Sequence, residues 1–132
     1  MPAAALVGQP VRKVSWSGRA LTGVAVAFMI FDGVVHIVRP APVADSFAQL
    51  GFPIRLAVGI GILELVCTAL YAVPRTAFIG ALLLTGYLGG AIATQLRAGS
   101  AWFPTVFPLI IAALVWGGLA LRDARVRALT SL

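Results

Sequence analysis

Four apolar runs of about 20 residues each leave this chain little surface that can face water. They extend over residues 20–38, 54–73, 76–96 and 105–121, and proline, glycine or charged residues stand at their ends. Only 11% of the residues are charged, against about 25% in an ordinary soluble domain, and 61% are hydrophobic. Lipid must therefore cover much of the folded chain. The pattern predicts an all-α integral membrane four-helix bundle, with residues 1–132 forming a single membrane domain.

The basic residues predict the orientation of this bundle. Seven of the ten fall on one side of the four predicted spans and three on the other. The seven are Arg12, Lys13, Arg19, Arg75, Arg122, Arg125 and Arg127, and the three are Arg39, Arg55 and Arg97. Because cytoplasmic flanks carry the excess of lysine and arginine, we expect a multi-pass cell-membrane protein with both termini in the cytoplasm. The basic residues stand mostly singly beside apolar runs, so the net charge of +6 does not indicate a nucleic-acid partner.

The first run can also be interpreted as a cleaved signal peptide, because basic residues precede it and small residues occur at 25–27. The apolar run continues well past that point, which the hydrophobic region of a signal peptide does not need to do. We therefore expect a membrane span.

The connections between the runs predict which helices are neighbours. Residues 43–50 can form two turns of helix closed by Gly51, lying on the outer membrane surface as a partial lid. The turn at 72–76 is short, so the second and third spans are expected to be antiparallel neighbours. Gly86, Gly89 and Gly90 give the third span a small-residue face. Such a face suits a homo-oligomer as well as a bundle interior, and we expect the interior.

The acidic and histidine residues inside the predicted spans are Asp32, His36 and Glu64, and a charge at that depth costs roughly 3 kcal/mol. Asp32 and His36 are four residues apart and share one helix face, while Glu64 lies near the middle of the second span. Counting about 1.5 Å per residue from the outer ends places Glu64 about 15 Å deep, Asp32 about 9 Å and His36 about 3 Å. We expect a polar ladder of candidate catalytic residues. The alternative is that these side chains only fix the order of the helices.

Four further residues are candidates for ligand binding. Tyr87 lies at the depth of Glu64, and Gln95 lies near the outer end of the third span. Arg39 and Arg55 are expected at the mouth of the bundle. If these faces converge, the outer half of the bundle contains a small chamber that is acidic inside and basic at its entrance.

Several familiar chemistries are excluded by residue counts and missing motifs. With one cysteine, Cys67, and one histidine, the chain cannot form an intrachain disulfide, a cysteine-rich metal site or a bis-histidine haem site. It has no Walker loop, no dinucleotide-binding glycine fingerprint and no HExxH. We expect no bound metal and no intrinsic cofactor.

Most of the chain resembles the DoxX-like membrane proteins. The segments that carry the resemblance are Asp32-Gly33, Leu50-Gly51-Phe52-Pro53, Glu64, Pro74-Arg75-Thr76, residues 80–99 and residues 116–123. The resemblance implies a four-helix membrane bundle. It also links the chain in name to thiosulfate:quinone oxidoreductase and other membrane oxidoreductase complexes, although kinship of fold does not carry chemistry. At Gln95 the family pattern has a histidine after Ala-Thr, and this departure puts an acid–base role there in doubt.

Three functions remain open at this point. The bundle can bind a small lipophilic molecule, or serve as an accessory subunit that docks a redox partner protein, in which case a quinone, a flavoprotein or another subunit must carry the electrons. It can instead be a small intramembrane enzyme, of isomerase or cyclase type, using Asp32, His36 and Glu64 for acid–base chemistry on a lipophilic substrate. The third function is structural or assembly work alone.

Overall fold

The computed structural model describes residues 16–130, and this part of the chain contains six helices and no strand. The helices are α1 (Trp16–Val38), α2 (Ala41–Leu50), α3 (Leu56–Ala72), α4 (Ala77–Arg97), α5 (Trp102–Arg122) and α6 (Ala124–Thr130). Arg12 and Lys13, two of the basic residues that predict the orientation, lie outside the described residues.

Four of the helices correspond to the four apolar runs. By length and composition α1, α4 and α5 are able to cross a membrane, while α3 is apolar but has only 17 residues. The fourth run is helical from Trp102, earlier than expected, so Pro108 lies inside α5. Because proline has no N–H, the Pro104 carbonyl lacks its usual helical partner.

The same four helices pack in a closed ring. α1 contacts α3 and α5, and α4 contacts the same two helices. The core between them contains Met29, Tyr71, Leu84, Val115 and Leu119, each no more than 1% exposed. As expected from the short turn, α3 and α4 are joined by only four residues and pack together.

Glycines allow close contact at particular points of this ring. On α1 and α3, Gly33 lies against Gly61, and a Cβ on Gly61 would come within 2.6 Å of the Gly33 carbonyl oxygen. Where α4 begins, a Cβ on Gly80 would overlap the backbone of Tyr71. These two contacts set how α1 and α4 lie against α3.

The glycine face expected to pack inside the bundle does not do so. A Cβ added to Gly86, Gly89 or Gly90 would meet nothing within 4 Å. The buried face of α4 is instead made by residues such as Leu84 and Leu88, which lie on a different side of the helix. The spacing of the glycines identified a small-residue face on this helix but not which way that face points in the bundle. Association of this face in a homo-oligomer stays a prediction.

The helix expected between the first two runs is present as α2. It ends at Gly51, whose φ of 76° is left-handed, and the Phe52 N–H donates to the Phe47 carbonyl at 2.9 Å. This is the glycine cap that the sequence predicts. Val43 and Phe47 bury one face of α2 against Ala57 of α3. The helix therefore covers one end of the bundle.

Candidate functional site

A cavity of about 690 Å³ lies among α1 to α5, and α2 contributes part of its wall. Most of the lining is apolar, from residues such as Phe28, Met29, Phe47, Phe107 and Ile111. The polar and charged residues of the wall are Asp32, His36, Ser46, Glu64, Tyr87, Thr94 and Gln95. Volume and lining are those of a pocket for a small organic molecule.

The imidazole of His36 is held by its own helix and by the covering helix. Nδ1 donates to the Asp32 carbonyl at 2.7 Å and lies 3.5 Å from Oδ2 of the Asp32 carboxylate. The ring meets the edge of Phe47 on α2, with 5.8 Å between centroids. The four-residue spacing thus produces the contact between Asp32 and His36 that the sequence predicts.

Glu64 projects from α3 into the same cluster and is completely buried. Its Oε2 lies 3.7 Å from Nδ1 of His36 and accepts a hydrogen bond of 3.0 Å from the Tyr87 hydroxyl. The expected proximity of Tyr87 and Glu64 is therefore confirmed. The other carboxyl oxygen, Oε1, is buried without a hydrogen-bond partner among the described residues.

The ladder expected from helix depths is replaced by a single cluster. Counting from the helix ends separates Glu64 from His36 by about 12 Å in depth, yet their side chains are in contact. The reason is a stagger between the two helices. Gly61 packs against His36 and Ile37, near the end of α1, so the start of α3 projects about 5 Å past that end. The facing ends of α1 and α3 therefore lie at different depths, and depths counted from those two ends cannot be compared directly.

The remaining predicted residues divide into two groups. Tyr87 and Gln95 line the cavity, whereas Arg39 and Arg55 are exposed and are not among its lining residues. Arg97, the third basic residue on the same side of the predicted bundle, donates to the Leu50 carbonyl at 2.7 Å and so connects the end of α2 to α4.

Several lining residues were not identified from the sequence. Ser46 and Phe47 on α2 and Phe107 on α5 lie in the wall. Gly86 and Gly90 also line the cavity, where their missing side chains leave space. The signal available for α2 was the pair Val43 and Phe47, one helical turn apart, which marks a buried face.

The cluster brings an imidazole and two carboxyl groups together in a largely apolar cavity. One ligand-type atom from each of Asp32, His36 and Glu64 lies within 4.8 Å of the others. Groups so close in low-dielectric surroundings can pass a proton between them or to a bound molecule, or share a cation. The geometry defines a small helical membrane protein with a polar cluster inside a lipophilic pocket.

The comparison with protein families matches this description. The sequence model of the DoxX-like family matches residues 20–118, which include all the predicted site residues and most of the bundle, and the chain belongs to the DoxX-like family. The comparison with curated proteins found no match, and neither did the comparison with solved structures.

Proposed function

We propose that this chain binds a small lipophilic molecule in the cavity, with the polar end of the molecule at Asp32, His36 and Glu64. The observation that carries the proposal is the cavity of about 690 Å³, apolar over most of its wall and polar at one cluster. The apolar wall suits a hydrocarbon ring or tail. Tyr87 and Gln95 add hydrogen-bonding groups to the same wall.

A carbonyl or hydroxyl head group fits this cluster best. The Tyr87 hydroxyl, whose proton is in the bond to Glu64, can still accept a hydrogen bond. Nε2 of His36 can accept one when the ring is neutral and donate one when it is protonated, and a carboxylate can accept one. A quinone or an isoprenoid-like lipid has this combination of polar head and apolar body. Binding a quinone would suit an accessory subunit of a membrane oxidoreductase system, with a redox partner protein supplying the electrons.

The proposed protein crosses the membrane four times, with α1, α3, α4 and α5 as spans, both termini in the cytoplasm and α2 on the outer surface. The 17 residues of α3 reach about 25 Å, so its apolar flanks or local thinning of the bilayer must make up the difference. In a Cys67→Ala background, an impermeant maleimide should label Ala98→Cys in intact cells and Leu129→Cys only after permeabilisation. The reverse order of labelling would overturn the orientation.

Ligand binding is tested by native mass spectrometry of protein purified in mild detergent from its own membranes. The spectrum should contain a species heavier than the chain by a constant mass of one small lipophile, which organic extraction then identifies. Gly90→Leu, which fills part of the cavity, should lack that species. Repeated recovery of the bare chain in several detergents would contradict the proposal.

A second candidate function, acid–base catalysis on the bound molecule, is favoured by the proximity of Asp32, His36 and Glu64 within 4.8 Å. In this function Glu64 is the general acid, and Asp32 with His36 forms the base pair. The extracted lipophile is incubated with protein in D₂O. An isomerase that removes a carbon-bound proton incorporates deuterium, and Asp32→Asn should lose that incorporation per molecule retained. Retention without deuterium uptake supports binding alone.

A further inference from the structure

The cluster of Asp32, His36 and Glu64 has the composition and spacing of a metal site. Nδ1 of His36 lies 3.5 Å from the Asp32 carboxylate and 3.7 Å from the Glu64 carboxylate. Ligands about 2.0–2.2 Å from a first-row transition-metal ion lie about 2.8–3.6 Å from their neighbours in octahedral or tetrahedral geometry. The three ligand-type atoms lie within 4.8 Å of one another, so the side chains must move by about 1 Å to reach coordination distances.

An independent observation at the same place is the unpartnered Oε1 of Glu64. Glu64 is 0% exposed, and this oxygen has no hydrogen-bond partner among the described residues. A buried polar atom without a partner costs about 1–3 kcal/mol, and more when it is charged. A ligand that supplies positive charge would stabilise such an atom beside an imidazole and a second carboxyl group.

The charges of the cluster also favour a divalent ion. Among the described residues, His36 is the basic side chain that lies close to both carboxyl groups. Two carboxylates, a neutral imidazole and one divalent cation sum to zero charge, which removes the large cost of burying an unpaired carboxylate. Metal-bound histidines usually donate their other ring N–H to a carbonyl or carboxylate. Nδ1 lies 3.5 and 3.7 Å from the two carboxyl groups, so coordination through Nδ1 replaces its 2.7 Å hydrogen bond to the Asp32 carbonyl and places the ring proton on Nε2.

We infer that Asp32, His36 and Glu64 bind one divalent first-row transition-metal ion, with at least one coordination position open to the cavity. One nitrogen and two oxygen ligands suit Zn²⁺, Mn²⁺, Fe²⁺ or Co²⁺ better than Cu⁺, which prefers sulfur. The inference replaces the sequence-based expectation of no metal. That expectation followed from the single histidine and single cysteine, and did not use the contact of α3 with α1.

The test uses full-length protein in detergent, stripped with a chelator and then titrated with Co²⁺ or Mn²⁺ alone. Co²⁺ absorption and Mn²⁺ electron paramagnetic resonance should show about one bound ion per chain. Asp32→Asn and Glu64→Gln keep the side-chain volumes and should weaken binding at least about tenfold, since even residues behind a ligand contribute that much. Asp45→Asn on α2, an exposed acidic residue that does not line the cavity, is the matched control and should bind as the wild type does.

Thermal unfolding shows whether each variant is folded, and metal should raise the melting temperature of wild type and Asp45→Asn only. If Glu64→Gln fails to fold, the decision rests on Asp32→Asn, whose side chain is 35% exposed and whose replacement disturbs the core less. Wild type that binds no stoichiometric ion, or undiminished binding by folded Asp32→Asn, would overturn the inference. Lipophile retention is measured on the chelated protein, so loss of the metal site and failure of the proposed lipophile binding are separate results.

Discussion

Tyr87 on α4 donates a hydrogen bond of 3.0 Å to Oε2 of Glu64 on α3, inside the cavity. This bond joins two neighbouring helices at a completely buried carboxyl group. It also leaves Oε1, the second oxygen of that group, for a bound molecule or ion. A structural role and a ligand-binding role for Glu64 therefore involve different atoms, and substitutions can separate them.

Glu64→Gln should leave the fold nearly intact, because the amide has the same volume and its carbonyl still accepts the Tyr87 bond. Retention of the lipophile should fall at least about tenfold, since a hydrogen bond to a charged group contributes about 1.5–3 kcal/mol. Glu64→Leu removes the acceptor and should also lower the melting temperature. Native mass spectrometry and thermal unfolding measure the two effects. Unchanged retention in Glu64→Gln would exclude Glu64 from the lipophile-binding site.

Gly90→Leu should block the cavity, whereas the adjacent Gly89→Leu should not. Both glycines are on α4 with nothing within 4 Å of an added Cβ, but only Gly90 is among the cavity-lining residues. The two changes add the same side chain with the same gain in helix propensity of up to about 1 kcal/mol. Ligand retention per folded chain should drop at least about tenfold in Gly90→Leu alone. Equal retention by both variants would place the ligand elsewhere.

Gly80→Ala should destabilise the bundle by about 1–3 kcal/mol, the usual cost of overpacking. The new Cβ would overlap the Tyr71 backbone, which cannot move as a flexible side chain can. Gly89→Ala is the control, because its Cβ meets no atom within 4 Å and alanine favours helix by about 1 kcal/mol. Unfolding by a denaturing detergent gives both free energies. A neutral Gly80→Ala would mean that the α3–α4 turn is not tightly packed.

The contact between Asp123 and Arg125 should make stability depend on pH in the acid range. The Asp123 carboxylate accepts hydrogen bonds from the Arg125 side chain and from its backbone N–H at 2.9 Å. The Arg125 side-chain bond is the main cause that lowers the pKa of Asp123 below its ordinary value. Because the pKa of Asp123 is lower in the folded than in the unfolded chain, its ionised form stabilises the folded state at pH values above the unfolded-state pKa of about 3.9. This stability is lost as the pH falls through the folded-state pKa.

Melting temperatures of wild type and Asp123→Asn should therefore differ near neutral pH and converge in acid. The difference is expected to be small, since Arg125 is 85% exposed and water screens the pair. In an Arg125→Ala background, the melting temperatures measured with and without Asp123→Asn should differ less at neutral pH. A gap that stays constant down to the acid limit would contradict the assigned cause.

Much of the fold followed from the sequence. Hydrocarbon cannot satisfy backbone polar groups, so apolar runs bounded by proline, glycine and charge had to be helical. The pairing of Asp32 with His36 follows from the helical repeat, and the end of α2 follows from the conformational freedom of Gly51. Each of these results depends on residues close together in the chain.

The site itself was decided by tertiary packing. Glu64 reaches His36 because Gly33 and Gly61, 28 residues apart, let α1 and α3 approach with a stagger that helix ends do not reveal. Gly86, Gly89 and Gly90 lie off the buried face of α4 because Leu84 and Leu88 occupy that face, a choice that spacing alone leaves open. Sequence periodicity determines which residues share a helix face. The direction in which that face points, and its level along the bundle axis, depend on side chains from other helices, because a close-packed interior admits few arrangements.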